Sequence, residues 1–181
     1  MYNGRATIAL LGPQTEALAP AAAKLARDAG FEIASKGYVL AAIPGSGAGN
    51  LAIEGARKGG GDIVLFGDSD NAPPENKNVS MIPTEGPLHR IQAILRVADA
   101  LMILPGDLNA LASMLQVWSY GSTQRAPYRQ VVLVGAEWPS IITALADAAN
   151  LSDQERSMVT FAKTAPEGVE AMRYYLSPTG P

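Results

Sequence analysis

Apolar residues recur along the chain with two alternating periods. Short apolar runs, almost free of charge, occur at Thr7–Leu11, 38–43, 63–66, 100–104 and Gln130–Val134, each closed by Gly or Pro. Strands buried on both faces read this way, which is the mark of a parallel sheet. Between these runs the spacing is helical. Leu18, Ala22, Leu25 and Ala29 share one face of residues 16–29, with Gly30 as the expected stop. Pro20 limits how early that helix begins, because proline fits a first turn and not an interior. Leu88, Ile91, Leu95 and Ala98 form a second stripe. Leu108, Leu111, Leu115 and Trp118 form a third, widened by Met114 and Val117. Ile141, Leu145 and Ala148 form a fourth, and Val169, Met172 and Tyr175 follow Pro166 with the same spacing until Ser177-Pro178. Strands alternating with helices predict βαβ units with right-handed crossovers, hence a doubly wound, Rossmann-like α/β fold on a mostly parallel sheet.

Two stretches are less regular. Residues 68–83 begin DSDNAPPENKN, too polar and too rich in Pro and Asn for a core, so a long surface connection is expected, with a short strand at 79–82. Residues 32–37 read either as a separate short strand or as the approach to 38–43. No internal repeat is present.

Length and composition narrow the function classes. At 181 residues, one domain is expected over the whole chain. Such a chain buries roughly 70% of its unfolded surface and needs no disulfide or metal to hold a core. There is no cysteine, which excludes disulfides, cysteine-ligated metal and thiol nucleophiles. His89 is the one histidine, so a histidine-based triad or a multi-histidine metal site is not expected. Fourteen basic against seventeen acidic residues give no electrostatic footprint for duplex nucleic acid. The longest apolar region, 101–124, is broken by Pro105, Gly106, the charged Asp107 and Asn109, so it does not read as a membrane span. The N-terminal apolar run is only about six residues long, short of a secretory core, and a cytoplasmic protein is expected. What stands out is 18 Gly and 13 Pro, and where they fall matters.

Ligands of open α/β sheets bind beyond the carboxyl ends of strands. Two strand ends here carry unusual loops. The first is Pro44-Gly45-Ser46-Gly47-Ala48-Gly49-Asn50, whose alternate glycines let backbone approach a ligand and whose following helix would aim N–H groups at an anion. The dinucleotide fingerprint G-x-G-x-x-G fails, because its last glycine falls on Asn50. The same glycines also suit tight strand–helix packing with no ligand. The second loop is Pro105-Gly106-Asp107-Leu108-Asn109-Ala110, where Asp107 or Asn109 is suited to cap the next helix.

The order of these features resembles the Lonely Guy (LOG) family of phosphoribohydrolases, long labelled lysine decarboxylases, and the wider LOG-like and DNA-processing-protein-like nucleotide-binding Rossmann domains. Members carry a glycine turn, an arginine helix, then A-D-A, an apolar strand and PGGxGTxxE. Gly45 to Gly49 stand for the first turn, Arg90 for the arginine, and Ala98-Asp99-Ala100 followed by LMILPG for the third signature. Thr164-Ala165-Pro166-Glu167 resembles the start of the family's last helix. The resemblance implies the fold, a nucleotide or other phosphorylated small molecule as partner, and a homodimer. No cofactor and no metal are expected. Ligand contacts are expected from Gly45, Ser46, Gly47, Gly49, Asn50, Arg90, Gly106, Asp107, Asn109 and Ala110.

The catalytic signature itself departs. Asp107 and Asn109 stand at glycine positions, Ala110 at the threonine and Ser113 at the glutamate. In the family the glutamate and arginine are thought to assist N-glycosidic cleavage, a task that calls for a carboxylate. No glutamate occurs between Glu85 and Glu137, so a shift of one turn cannot restore it. With Arg90 alone retained, the sequence names no catalytic set and argues against ordinary phosphoribohydrolase activity. Non-catalytic or weakly catalytic nucleotide binding is expected. A divergent N-glycosidase, an NAD(P)-binding enzyme using Asp68 or Asp70, and an interaction protein with a lost site remain the alternatives.

Overall fold

The computed structural model describes residue 2 and residues 4–45, 47–68, 77–122 and 129–176. The elements follow in the order β1 (Thr7–Leu11), α1 (Pro20–Ser35), β2 (Val39–Ala42), α2 (Gly47–Lys58), β3 (Ile63–Gly67) and β4 (Val79–Pro83). Then come α3 (Gly86–Val97), β5 (Ala100–Ile103), α4 (Leu108–Ser122), β6 (Gln130–Val134), α5 (Trp138–Ala148), α6 (Asp153–Arg156), β7 (Val159–Ala162) and α7 (Ala165–Leu176). The seven strands form one sheet in the order β4-β3-β2-β1-β5-β6-β7, every pair parallel.

Alternate strand residues feed two cores. Ile8, Leu10, Leu40, Met102 and Val132 face α1, α2 and α7. Leu11, Val64, Phe66, Leu101 and Leu133 face α3, α4 and α5. Both faces of the central strands are therefore buried, which is why their sequences read as unbroken apolar runs rather than alternations. Burial of Ile8, Leu40 and Leu101 is complete.

Three local expectations change. Gly30 does not stop α1, which runs on to Ser35 and absorbs the stretch that could have been a strand. A Cβ on Gly30 would lie 1.9 Å from the Ala52 carbonyl oxygen, and one on Gly55 would lie 2.0 Å from that of Arg27. These glycines let α1 and α2 pack backbone to backbone. The third and fourth stripes are rotated: Met114, Val117 and Trp118 are buried in α4 while Leu108 and Leu115 are exposed, and α5 buries Trp138, Ile142 and Ala146. Finally, β7 and the short α6, held by a Ser152–Glu155 capping box, extend the sheet beyond the runs evident in the sequence.

The strand order reverses between β1 and β5. The chain leaves β1 toward α1 on one face and β5 toward α4 on the other, so their carboxyl ends frame the crevice where ligands of such sheets bind. No helix among the described residues is long and apolar enough to cross a membrane.

Candidate functional site

Asp107 dominates the crevice. It directly precedes α4, and its Oδ1 accepts the Ala110 N–H at 3.0 Å, which caps the helix. Its Oδ2 reaches across the crevice and accepts the backbone N–H groups of Gln14 at 2.8 Å and Thr15 at 3.1 Å, both in the loop after β1. The Asn109 amide adds a longer bond of 3.4 Å. Partial burial alone would raise the Asp107 carboxyl, but donation from Ala110, Gln14, Asn109 and Thr15 outweighs it and holds the group below the usual carboxylate range. A fixed carboxylate thus occupies the Ala110 N–H in the first turn of α4, a donor an incoming phosphate there would use, and two donors of the facing β1 loop. Gly106 lies against Pro13, where a Cβ would approach the proline ring to 2.7 Å, so the β1 and β5 loops are in contact as well as bridged.

The glycine loop after β2 folds onto the same β1 loop. The Ala48 N–H donates to the Pro13 carbonyl at 2.8 Å. Gly47 has a φ of +62°, and a Cβ there would sit 2.2 Å from that carbonyl oxygen, so only glycine fits. A Cβ on Gly49 would meet the Ile43 carbonyl at 2.0 Å. Asn50 fastens the turn: its Oδ1 accepts the Gly45 N–H and its amide donates to the Gly45 carbonyl. Backbone packing therefore accounts for these residue types without a ligand. Ser46 lies outside the described residues.

Arg90 extends from α3 toward the carboxyl ends of β1 and β2. Its side chain is 15% exposed. Its partners are weak for so buried a cation: Nε lies 3.4 Å from the Thr84 hydroxyl, and the guanidinium lies 3.8 Å from the Asp68 carboxylate. Arg90 lines a small pocket of about 60 Å³ together with Gly12, Pro13, Gln14, Pro44 and Gly49. That volume suits the anionic head of a ligand rather than a whole nucleotide. The structure thus brings Arg90 beside Gly49, with Asn50 bracing that loop, and puts Asp107, Asn109 and Ala110 across the β1 loop, tied up with one another.

The other sequence candidates separate cleanly. Ser113 is buried inside α4, turned away from solvent. Asp99 lies at the amino end of β5, where it accepts the Thr7 N–H at 2.9 Å. His89 accepts the Glu85 N–H through Nδ1 at 3.1 Å and so steadies the start of α3. Glu54 ties α2 to α1 by accepting from Arg27 and Lys58, each at 2.9 Å, and those donors hold its carboxyl below the usual range. Asp68 follows β3, one strand outward from the glycine loop; Asp70 lies outside the described residues. No cluster of potential metal ligands occurs among the described residues.

Sequence reasoning overlooked the β1 loop. Pro13, Gln14 and Thr15 supply the contacts that close the crevice, yet no motif marks them. The available signal was topological: a first strand at the centre of a doubly wound sheet puts its carboxyl end at the point of reversal.

No protein-family model matches the chain, and no curated protein sequence matches it significantly. Solved structures do. The molybdenum cofactor binding protein from the phototrophic bacterium Rippkaea orientalis superposes with a TM-score of 0.72 at 20% identity, covering 97% of this chain and 99% of that one. The Moco carrier protein of Chlamydomonas reinhardtii gives a TM-score of 0.69 at 19% identity, covering 95% and 98%. DNA processing protein A from Helicobacter pylori, described for its single-stranded DNA binding, gives 0.63 at 13% identity, covering 95% and 82%. The fold is accordingly a Rossmann-like α/β fold, shared with those structures. At such identities the likeness establishes architecture and leaves function to the site.

Proposed function

We propose that this protein binds a phosphate-bearing heterocyclic ligand at the carboxyl edge of its sheet and holds it without cleaving it. The observation that carries this reading is Arg90: a largely buried guanidinium, weakly partnered, facing a pocket walled by the β1 and β2 loops. A cation so placed is stabilised by an anion more strongly than in water. A nucleotide and a molybdenum cofactor both join a phosphate to a flat, nitrogen-rich ring, so either presents the same anion to Arg90. The names of the Rippkaea and Chlamydomonas proteins favour testing the molybdenum cofactor beside the nucleotides.

Binding without cleavage rests on the α4 end of the crevice. The carboxylate that opens α4, that of Asp107, accepts backbone N–H groups through both oxygens, and the glutamate position holds buried Ser113. Neither is free to activate water. One observation favours a second reading, a divergent N-glycosidase: the exposed Asp68 carboxylate stands beside Arg90. Asp68→Asn separates the two, since it would abolish turnover in a glycosidase and leave binding in place.

We also propose a homodimer through α3 and α4, which touch each other and leave Leu88, Leu108 and Leu115 exposed. Exposed apolar residues on adjoining helices are a common mark of an interaction surface.

Calorimetric titration with AMP, GMP and isolated molybdenum cofactor tests the binding function. At least one should bind, and Arg90→Ala should weaken it tenfold or more, as expected for loss of a charge-assisted contact. Absence of binding to all three, or binding indifferent to Arg90, overturns the reading.

A further inference from the structure

A second pocket of about 450 Å³ opens beyond the carboxyl ends of β5, β6 and β7. Its volume falls in the usual small-molecule range of about 300–1,000 Å³. It lies across the Pro13 loop from Arg90: Pro13 lines both pockets, and the Ala48 N–H bond to its carbonyl braces that partition. The walls are apolar, with Leu25 from α1, Leu104 from the end of β5 and Ile141 from α5. Glycine keeps it open at the β6 end. Gly135 has a φ of +143°, and a Cβ there would lie 2.6 Å from the Pro105 ring.

Two side chains of opposite charge line this pocket, Glu137 ahead of α5 and Lys163 after β7. Glu137 stands at the N-cap of α5 yet makes no side-chain capping bond. Lys163 takes part in the Thr164–Glu167 cap of α7 only through its backbone N–H, which donates to Glu167 at 2.8 Å. Among the described residues, neither the Glu137 carboxylate nor the Lys163 ammonium has a hydrogen-bond or ion-pair partner. Other charges on the surface are paired, as in Arg27–Glu54–Lys58 and Arg156–Asp147, so both groups remain available to a ligand.

We propose that this pocket is a separate binding site for a small zwitterion with an apolar body, the chemistry of an apolar α-amino acid. Glu137 receives the ammonium, Lys163 the carboxylate, and Leu25, Leu104 and Ile141 the hydrocarbon side chain. Each charged group then gains the partner it lacks, beside walls that take the hydrocarbon part. Arg90 and Asp107 take no part, so the site stands independently of the phosphate-binding reading.

The test is an amide chemical-shift titration with L-leucine and L-phenylalanine, using L-leucinamide and 4-methylpentanoate as controls that each lack one charge. Shifts should cluster at Gly106, Gly135, Ala136 and Lys163 for at least one amino acid, and each control should bind tenfold or more weakly. Glu137→Gln and Lys163→Met should each weaken binding by the same order, while Arg90→Ala leaves it unchanged. Ala22→Leu, which fills the pocket from α1 without touching either charge, should abolish the shifts while Tm stays near that of the wild type. Failure of both amino acids to bind, or binding indifferent to Glu137→Gln and Lys163→Met, overturns the proposal.

Discussion

Asp107→Ala removes a side chain that joins the two halves of the sheet at its point of reversal. Three backbone N–H groups lose their acceptor, those of Gln14, Thr15 and Ala110. Loss of an N-cap costs about 0.5–2 kcal/mol. A hydrogen bond to a charged acceptor is worth about 1.5–3 kcal/mol, less where water replaces the carboxylate, as it does at exposed Thr15. The sum is about 2–5 kcal/mol near neutral pH. For a chain of this length, each kcal/mol moves Tm by about 2–4 °C, so a fall of about 4–20 °C is expected. Acid should erase the difference. The folded carboxyl titrates below its ordinary value, so on acidification the unfolded chain takes up its proton first, and the stabilisation is lost as pH falls through the folded value. The gap between wild type and Asp107→Ala should therefore be full above about pH 5 and narrow progressively below about pH 4. Thermal unfolding followed by fluorescence of buried Trp138 reads both quantities. A variant as stable as wild type at pH 7, or a gap that persists unchanged in acid, would refute the bridging role.

Three further outcomes follow from the same geometry. Asp107→Gly frees the α4 N-terminus and the Gln14 and Thr15 N–H groups, so calorimetry should show AMP binding tightened about tenfold or more despite lower stability. Gly30→Ala gains about 1 kcal/mol of helix propensity but drives a Cβ to 1.9 Å from the Ala52 carbonyl, so net destabilisation by about 2 kcal/mol or more is expected in urea unfolding. Leu108→Glu with Leu115→Glu should convert a dimer to a monomer in light scattering with little change in circular dichroism, because both side chains are exposed on the subunit; an unchanged mass would place the interface elsewhere.

How far the sequence could be read depended on where each signal resides. The central strands were legible because burial on both faces leaves an unmistakable apolar run. β7 was not, since a four-residue edge strand with Phe161 exposed carries little periodicity. Gly30 looked like a helix stop because the residue type is the same whether it ends a helix or lets two helices touch. What distinguishes the cases is the partner backbone, 22 residues away at Ala52. Ile33, continuing the stripe of Ala26 and Ala29, was the local clue that α1 runs on. At the site, the resemblance picked out Arg90, and Asp107 was legible as a helix cap. Its second role was hidden, because Gln14 lies 93 positions away and contributes only a backbone N–H, which every residue but proline carries. Glu137 and Lys163 likewise come to one pocket only through the order of β6 and β7.

The proposed function requires that Arg90 hold a phosphate-bearing ligand and that the start of α4 supply no catalyst. Phosphorus NMR of AMP incubated with the protein reads both parts at once. The AMP resonance should broaden or shift with wild-type protein, regain its free form with Arg90→Ala, and keep its full intensity over time. Accumulation of a ribose 5-phosphate resonance, or identical spectra with wild type and Arg90→Ala, would contradict it.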